Sequence, residues 1–210
     1  IRLFQNRNLS KSYGLLKARQ IEIEQEIDRL AELHSLVKRK ARALAAALDT
    51  HFPFGEVRRC ELPRRRVLAS SLMTPSLVDL NQEFIKLAQR LGEAAPVVAT
   101  DRIGISFEEN DAGDVQMRAG MVLEEFLGGD EGMFEELDAS EYLCMYRFGN
   151  PLDIEESWGI IRRYAADAGL RLASELIEIF VVDQSVTDDP RENIFDVQVR
   201  ILPCNEDCFS

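Results

Sequence analysis

The pentapeptide DVQMR at residues 114–118 returns almost unchanged as DVQVR at residues 196–200, 82 positions later. In both copies apolar and polar residues alternate, which is the period of a β-strand with two different faces. We therefore interpret each pentapeptide as the closing strand of a unit that the chain contains twice.

The segments before each pentapeptide support this interpretation because they follow the same order. In the first half the patterns predict a strand, a helix and two strands, at 57–72, 75–92, 97–107 and 114–126. In the second half they predict the same series, at 141–148, 151–169, 171–183 and 193–202. Pro75 and Pro151 mark corresponding helix starts 76 positions apart, and a longer loop before the second pentapeptide absorbs the remaining difference. The sequence predicts an α+β domain at residues 51–210, in which β-α-β-β repeats at about 57–126 and 141–203 form an antiparallel sheet.

Residues 10–50 carry a different pattern, that of a long helix. No proline interrupts them before the break HFPFG at residues 51–55. Their apolar positions step alternately by four and three residues, which is the heptad spacing of a coiled coil. The seam consists of Leu16, Gln20, Ile23, Ile27, Leu30, His34, Val37, Ala41, Leu44 and Leu48.

Charge separates the two regions and suggests how the helix pairs. Residues 1–50 have a net charge of +4 and residues 51–210 have −16, so the second region repels nucleic acid. Along the helix, acidic residues at 22–28 precede basic residues at 38–42. An antiparallel partner places opposite charges together, so we predict an antiparallel homodimer through residues 10–49.

The second pentapeptide offers a candidate site on its polar face, where Asp196, Gln198 and Arg200 project together. The neighbouring predicted strands carry Tyr142 and Tyr146, and Phe180 beside Glu178. Aromatic side chains around carboxylates suit a flat or cationic organic ligand. Alternation does not tell which face is covered, so two interpretations stay open. The polar face either meets water, with the aromatic residues in the core, or lines a groove.

The two regions together resemble MerR-family transcription regulators. The heptad helix looks like their dimerisation helix, and residues 57–203 are similar to the GyrI-like effector-binding domain. The resemblance rests on the strand ending at Gly149, the helix containing Trp158, the run EIFVVD at 178–183, and the final strand DVQVRIL. It implies a duplicated domain with a ligand cavity between its halves. The candidate ligand-binding residues are Asp196, Phe180, Tyr142, Tyr146, Trp158 and Glu178.

Residue by residue, the resemblance also shows departures. Asp196 stands where the family commonly has a glutamate beneath cationic drugs, and Phe180 stands where it has a tyrosine. Arg200 replaces a common proline and, being on the same face, is a candidate to neutralise Asp196. Because of these departures, we do not expect a broad preference for cationic ligands. A ligand pocket is still expected.

The function that the resemblance implies is the effector-sensing and dimerisation part of a DNA-binding regulator. A small hydrophobic or cationic effector would favour one dimer geometry and so change the conformation of promoter DNA. Promoter DNA and RNA polymerase would be contacted through a winged-helix domain ahead of Ile1, and residues 1–9 would be a remnant of the region upstream.

Two other classes of function remain open. A GyrI-like hydrolase would use Asp196 as a general base, and a dimeric protein-binding adaptor would have an exposed apolar patch without a cavity. The sequence contains no Ser, His and Asp constellation, phosphate-binding glycine loop or metal-ligand cluster, so we expect no catalytic residue, metal or cofactor. Four scattered cysteines favour the cytoplasm, and no apolar run is long enough for a membrane span.

Overall fold

The computed structural model describes residues 9–48, 53–94, 102–109, 113–123, 131–183 and 186–203. The chain divides into two compact units, Ile1–Arg42 and Ala43–Ser210. Parts of the sequence-based predictions fall outside the described residues, namely 1–8 of the remnant and element ends at 49–52, 97–101 and 124–126.

A single helix, α1, spans Leu9–Ala47 and contains 39 residues, in agreement with the predicted helix. Its seam is exposed within the chain: Leu16 is 71% exposed, Ile27 58% and Val37 64%. A helix this long gains most of its stability from covering such a stripe rather than from intrinsic propensity. Its coiled-coil pairing stays a prediction.

The second unit contains two helices and eight strands. The strands are β1 Arg58–Leu62, β2 Arg65–Ala69, β3 Arg102–Glu109, β4 Val115–Leu123, β5 Glu135–Leu137, β6 Ser140–Phe148, β7 Arg171–Val182 and β8 Ile194–Leu202. The helices are α2 Leu77–Ala94 and α3 Glu155–Asp167. No helix among the described residues has the length and apolar character needed to cross a membrane.

All eight strands form one antiparallel sheet in the order β1-β6-β8-β7-β3-β4-β2-β5. The strand order is symmetric. If β1 to β4 are exchanged with β5 to β8, so that β1 takes the place of β5 and β5 that of β1, the same order results when the sheet is read from its opposite edge. The antiparallel α+β fold is confirmed. The internal duplication itself stays a prediction that this symmetry of strand order supports.

The predicted strand at 57–72 is wrong because it is two strands. Pro63 lies between β1 and β2, and a proline cannot donate a ladder hydrogen bond. The two strands then separate completely, since β1 pairs with β6 at one edge and β2 pairs with β4 and β5 near the other. The three-residue β5 was not predicted. The helices begin at Leu77 and Glu155, after the prolines expected in their first turns.

The two faces of the sheet have different surroundings. Helices α2 and α3 cover one face and form the main core with it, including Leu68, Leu87, Met117, Ile161, Phe195 and Val197. The opposite face is concave, because the sheet curls. Arg65 on β2 and Gln198 on β8 are four strand positions apart, about 19 Å in a flat sheet, yet their side chains form a hydrogen bond of 2.7 Å. We call this side of the sheet the concave face; it carries Arg58, Arg65, Arg118, Tyr142, Tyr146, Asp196 and Gln198.

Candidate ligand-binding site

Asp196 lies in the middle of β8 and belongs to the concave face. Its cross-strand neighbours are Tyr146 on β6 and Ile179 on β7. Its carboxylate accepts a hydrogen bond from Gln198 Nε2 at 2.9 Å and one from Arg58 Nη2 at 3.3 Å. The carboxylate therefore already has partners within the protein.

Arg58 supplies the counter-charge to Asp196. Strand β1 lies beside β6, with Arg58 opposite Cys144, and the guanidinium carbon is 4.1 Å from the centre of the Tyr146 ring. Arg200, the neutralising partner considered from the sequence, is exposed on the same face. Sequence reasoning missed Arg58 because the pairing of β1 with a strand more than 80 residues later has no local signal.

The charge balance around Asp196 is positive. Burial raises the pKa of Asp196, while the hydrogen bond from Gln198 and the charges of Arg58, Arg102 and Arg65 oppose that rise. Three guanidinium groups thus act on one carboxylate. Such surroundings favour an anion over a cation, which is the reverse of the role expected for Asp196 as the counter-charge of a cationic ligand.

Arg65 is the most enclosed of these arginines, with 8% of its surface exposed. Its Nη1 atom donates to Gln198 Oε1 at 2.7 Å, and its guanidinium lies over the Tyr142 ring at 5.2 Å from the centroid. Its Nε and Nη2 atoms are buried, and neither has a hydrogen-bond partner among the residues that the structure describes. Neither Arg65 nor Gln198 was a candidate from the sequence.

A second cluster on the concave face surrounds Arg118. This guanidinium donates to Ser106 Oγ at 3.0 Å, to Glu135 at 2.8 Å and to Glu175 at 3.0 Å, and Glu108 lies 3.7 Å away. Three carboxylates thus surround one arginine, so the charge balance here is negative. The concave face therefore has a positively charged region around Asp196 and a negatively charged region around Arg118.

A cleft of about 340 Å³ opens beside the Arg118 cluster. Pockets for small organic ligands are typically about 300–1,000 Å³, so the cleft lies within that range. Tyr142 is the one predicted ligand-binding residue in its lining. The charged lining residues are Glu108, Arg118, Glu135, Glu136, Asp138, Glu175 and Arg200.

A small apolar cavity of about 30 Å³ lies deeper on the same face, beneath the paired glycines Gly104 and Gly120. A Cβ on Gly104 would lie 2.8 Å from the backbone oxygen of Glu178, and one on Gly120 would lie 3.1 Å from Val67. The space is close to that of one or two water molecules, so the cavity extends the concave face without holding a whole ligand.

The remaining predicted site residues lie on the helix-covered face, so the predicted grouping around Asp196 is wrong for them. Glu178 pairs with Val197 and Phe180 with Phe195, one residue out of phase with Asp196. Phe180 packs edge-on against Phe195 with centroids 4.8 Å apart. Trp158, on α3, packs against the main core. These residues support the sheet from behind, and whether any of them contacts a ligand stays untested.

Glu178 is fully buried in an ion pair with Arg147. Arg147 Nε and Nη2 donate to the two carboxylate oxygens of Glu178, each at 2.6 Å. Arg147 Nη1 also donates to the carbonyl oxygen of Asn150 at 3.0 Å, which ties β6 to the turn before α3. Burial raises the pKa of Glu178 to about 7, against the opposing effect of Arg147.

The two copies of the pentapeptide have unequal surroundings. Asp114 lies just before β4 and is exposed, whereas Asp196 lies within β8 and is mostly enclosed. The arginines that end the two pentapeptides show the opposite pattern: Arg118 is held by carboxylates, whereas Arg200 is exposed. The two pentapeptides therefore do not form two equivalent sites.

The chemistry available on the concave face is that of binding groups. Guanidinium, phenol, amide and carboxylate groups are present, and burial raises the pKa of the Cys144 thiol so that it stays protonated. Within the described ranges no three His, Cys, Asp or Glu side chains come together as a metal site. The arrangement fits a charged or aromatic organic molecule.

Sequence comparisons identify no relative: no protein-family model matches the chain, and no curated protein does so. Solved structures do match in fold. One is a chain of the EcmrR-DNA complex in EcmrR-RPo, determined by cryo-EM; it is 13% identical with a TM-score of 0.58, covering 90% of this chain and 71% of that one. Another is the crystal structure of the EcmrR C-terminal domain, 14% identical with a TM-score of 0.58, covering 70% and 97%.

A third match is a hydrolase from Listeria innocua, 9% identical with a TM-score of 0.46, covering 72% of this chain and 94% of that one. This TM-score is too low to support any structural or functional comparison with this chain. At these identities the EcmrR structures show a shared fold and nothing finer.

Proposed function

We propose that this chain is the effector-sensing and dimerisation part of a MerR-type transcriptional regulator, and that a small organic effector binds on its concave face. The observation that carries the proposal is the cleft of about 340 Å³ on the concave face, bordered by Tyr142 and by the cluster of carboxylates around Arg118. Its volume and mixed aromatic and charged lining are those of a small-molecule site. The chain shares its fold with EcmrR, whose structure was determined in a complex with DNA, and this similarity supports a role in transcription regulation.

The effector is a hydrophobic or cationic molecule whose body lies in the cleft. Glu108, Glu135 and Glu175 surround a single arginine there, so one more cation is electrostatically favoured. Tyr142 supplies an aromatic wall at the other side of the cleft. The attraction for a cation thus moves from Asp196, which Arg58 already neutralises, to the carboxylates around Arg118.

Dimerisation through α1 would cover the exposed seam of that helix. Ile23, Leu30 and Val37 are 48%, 51% and 64% exposed within the chain. Burying such side chains contributes about 1.5–3 kcal/mol for each one fully removed from water. The reversed charge order along the helix favours an antiparallel arrangement.

Switching then requires the effector to prefer one geometry of the dimer, because a ligand shifts an equilibrium only by its difference in affinity for the two states. In that mechanism promoter DNA and RNA polymerase are contacted by a DNA-binding domain and not by the effector-binding unit. Binding of effector to the concave face changes the conformation of promoter DNA through the dimer.

Ligand binding is tested with three compounds of one shape: naphthylmethylammonium, naphthylmethanol and naphthoate. We expect naphthylmethylammonium or naphthylmethanol to raise the unfolding temperature in a saturable way, since a ligand that binds only the folded state stabilises it. Glu175→Gln should weaken the binding of naphthylmethylammonium, whereas Glu141→Gln, a substitution of an exposed residue outside the cleft, should leave its affinity unchanged. Failure of both the ammonium and the neutral compound to bind would contradict the cleft as an effector site. The hydrolase alternative is tested separately, by incubating the protein with methyl naphthoate and following the release of naphthoate, because none of the three compounds has a hydrolysable bond.

Antiparallel pairing is tested by crosslinking. A chain with Glu24→Cys mixed with a chain with Lys38→Cys should form a covalent dimer under mild oxidation. Efficient crosslinking of Glu24→Cys with itself would contradict an antiparallel helix pair. The unsubstituted chain, which retains its own cysteines, is the control.

A further inference from the structure

The side-on edge of the Arg65 guanidinium is buried without a partner. Arg65 is 8% exposed, and its Nη1 atom is used to hold Gln198. The other two donor atoms, Nε and Nη2, have no hydrogen-bond partner among the described residues. These two nitrogens lie along one edge of the planar group and donate in nearly parallel directions.

An unpaired buried donor is unfavourable, and buried guanidinium groups are almost always hydrogen-bonded. An exception calls for a partner outside the residues that the structure describes. A group with two coplanar oxygen atoms fits this edge best, because it accepts both hydrogen bonds at once in a bidentate pair. The carboxylate is the common biological group with that geometry.

The same molecule shows how such an edge is filled. Arg147 uses its own Nε and Nη2 atoms to bind both oxygens of Glu178, each at 2.6 Å. That pair lies on the helix-covered face and joins β6 to β7, the two strands that flank β8; its residues pair with Phe195 and Val197, on either side of Asp196. On the concave face, no carboxylate of the described residues occupies the equivalent edge of Arg65, and Asp196 pairs with Arg58 and Gln198 instead.

The charges around Arg65 favour an anion. Arg58 and Arg65 both act on the carboxylate of Asp196, so one further negative charge would bring these three side chains to neutrality. A cation at the same place would be repelled. The preference is opposite to that of the Arg118 cluster, where three carboxylates surround one arginine.

The cleft gives a ligand a route towards this edge. Arg65 lies over the ring of Tyr142 and pairs in β-sheet register with Leu137, and both of those residues line the 340 Å³ cleft. A molecule with its body in the cleft therefore lies beside two neighbours of Arg65, although Arg65 itself is not part of the lining. Contact with Arg65 requires the side chain of Tyr142 or of Arg65 to rotate.

We propose that Arg65 is a carboxylate-binding residue and that the effector, whose hydrophobic or cationic body lies in the cleft, also carries a carboxylate group, which the Nε and Nη2 edge of Arg65 binds in a bidentate manner. This inference rests on the proposed small-molecule function of the concave face and adds the chemical class of the ligand. Gln198 and Tyr142 act as positioning residues, since they hold the guanidinium from one side and below.

The experiment compares naphthoate with its neutral isostere naphthamide by isothermal titration calorimetry on the full chain. We expect naphthoate to bind wild type about tenfold more tightly or better, as charge-assisted bidentate pairs do. Arg65→Gln should abolish that preference. Arg65→Lys, which keeps the charge but lacks the planar two-donor edge, should lose most of it.

The matched control is Arg59→Gln, which removes one positive charge from β1 at an exposed position paired with Glu141. It should leave the preference for naphthoate unchanged. Circular dichroism establishes that each variant is folded, and if Arg65→Gln is not, the lysine variant decides the question. Equal affinity for naphthoate and naphthamide in wild type, or an unchanged preference in a folded Arg65 variant, overturns the inference.

The outcome is distinguishable from failure of the proposed function. In one outcome, naphthylmethylammonium or naphthylmethanol binds saturably, Glu175→Gln weakens the binding of the ammonium compound, and naphthoate is not preferred over naphthamide. This outcome is consistent with the sensor function and overturns the carboxylate site. A preference for naphthoate that disappears in the Arg65 variants supports the inference, even where the ammonium and neutral compounds do not bind.

Discussion

Two buried arginines, Arg147 and Arg65, lie on opposite faces of one sheet and differ in how completely they are paired. Arg147 donates its side-on edge to Glu178 and further hydrogen bonds to the carbonyl oxygens around the turn before α3. Arg65 has a single hydrogen bond to Gln198, and its side-on edge has no partner among the described residues. Where a buried polar group only supports the fold, the fold supplies its partners; where partners are missing, a ligand is the natural candidate.

The largest expected effect is the loss of the Arg147 pair. Glu178→Gln leaves a buried guanidinium without its counter-charge, so the free energy of unfolding should fall by about 3–5 kcal/mol in urea denaturation. Replacing both residues, as Arg147→Met with Glu178→Leu, should recover most of this loss because no unpaired charge remains. A cost below about 1 kcal/mol for Glu178→Gln would remove the distinction between the two arginines.

A smaller effect is expected at Asp196. Its pair with Arg58 is longer, at 3.3 Å, and the Arg58 side chain is 34% exposed, so water can replace the lost partner. Asp196→Asn should lower the free energy of unfolding by about 1 kcal/mol, comparable with a single hydrogen bond. Urea denaturation at neutral pH measures it. A loss as large as that of Glu178→Gln would mean that the concave face depends on its internal ion pair as the covered face does.

The smallest expected effect, and the sharpest contrast, is that of Arg65→Met without ligand. The substitution removes one hydrogen bond and also two buried unpaired donors, and the two changes oppose each other. The unfolding free energy should stay within about 1 kcal/mol of wild type, whereas Arg147→Met should cost several times more. Equal losses for the two methionine variants would show that Arg65 is a structural residue like Arg147.

Much of the fold could be predicted from local pattern. The helix α1, the positions of α2 and α3, the strands β6, β7 and β8, and the division of β8 into faces all follow from periodicity of apolar residues. The order of elements in both halves was also predicted. Misplaced elements were those with weak local signals, namely the break at Pro63 and the three-residue β5.

The candidate site was predicted only in part, and the reason is register. Alternation correctly grouped Glu178 with Phe180 and Asp196 with Gln198, each within its own strand. It could not tell whether the two groups share a face, because a one-residue shift between neighbouring strands reverses the answer. The pairing of Glu178 with Val197 puts them on opposite sides.

The sequence by itself determined the composition of each strand face and the exposed stripe of the long helix, since these depend on residues only two to four positions apart. Tertiary structure alone decided which faces meet. The curl of the sheet brings Arg65 to Gln198 across 133 residues, and strand pairing brings Arg58 to Asp196 across 138. Contacts at such separations depend on the summed register and twist of many strands, and no local pattern records that sum.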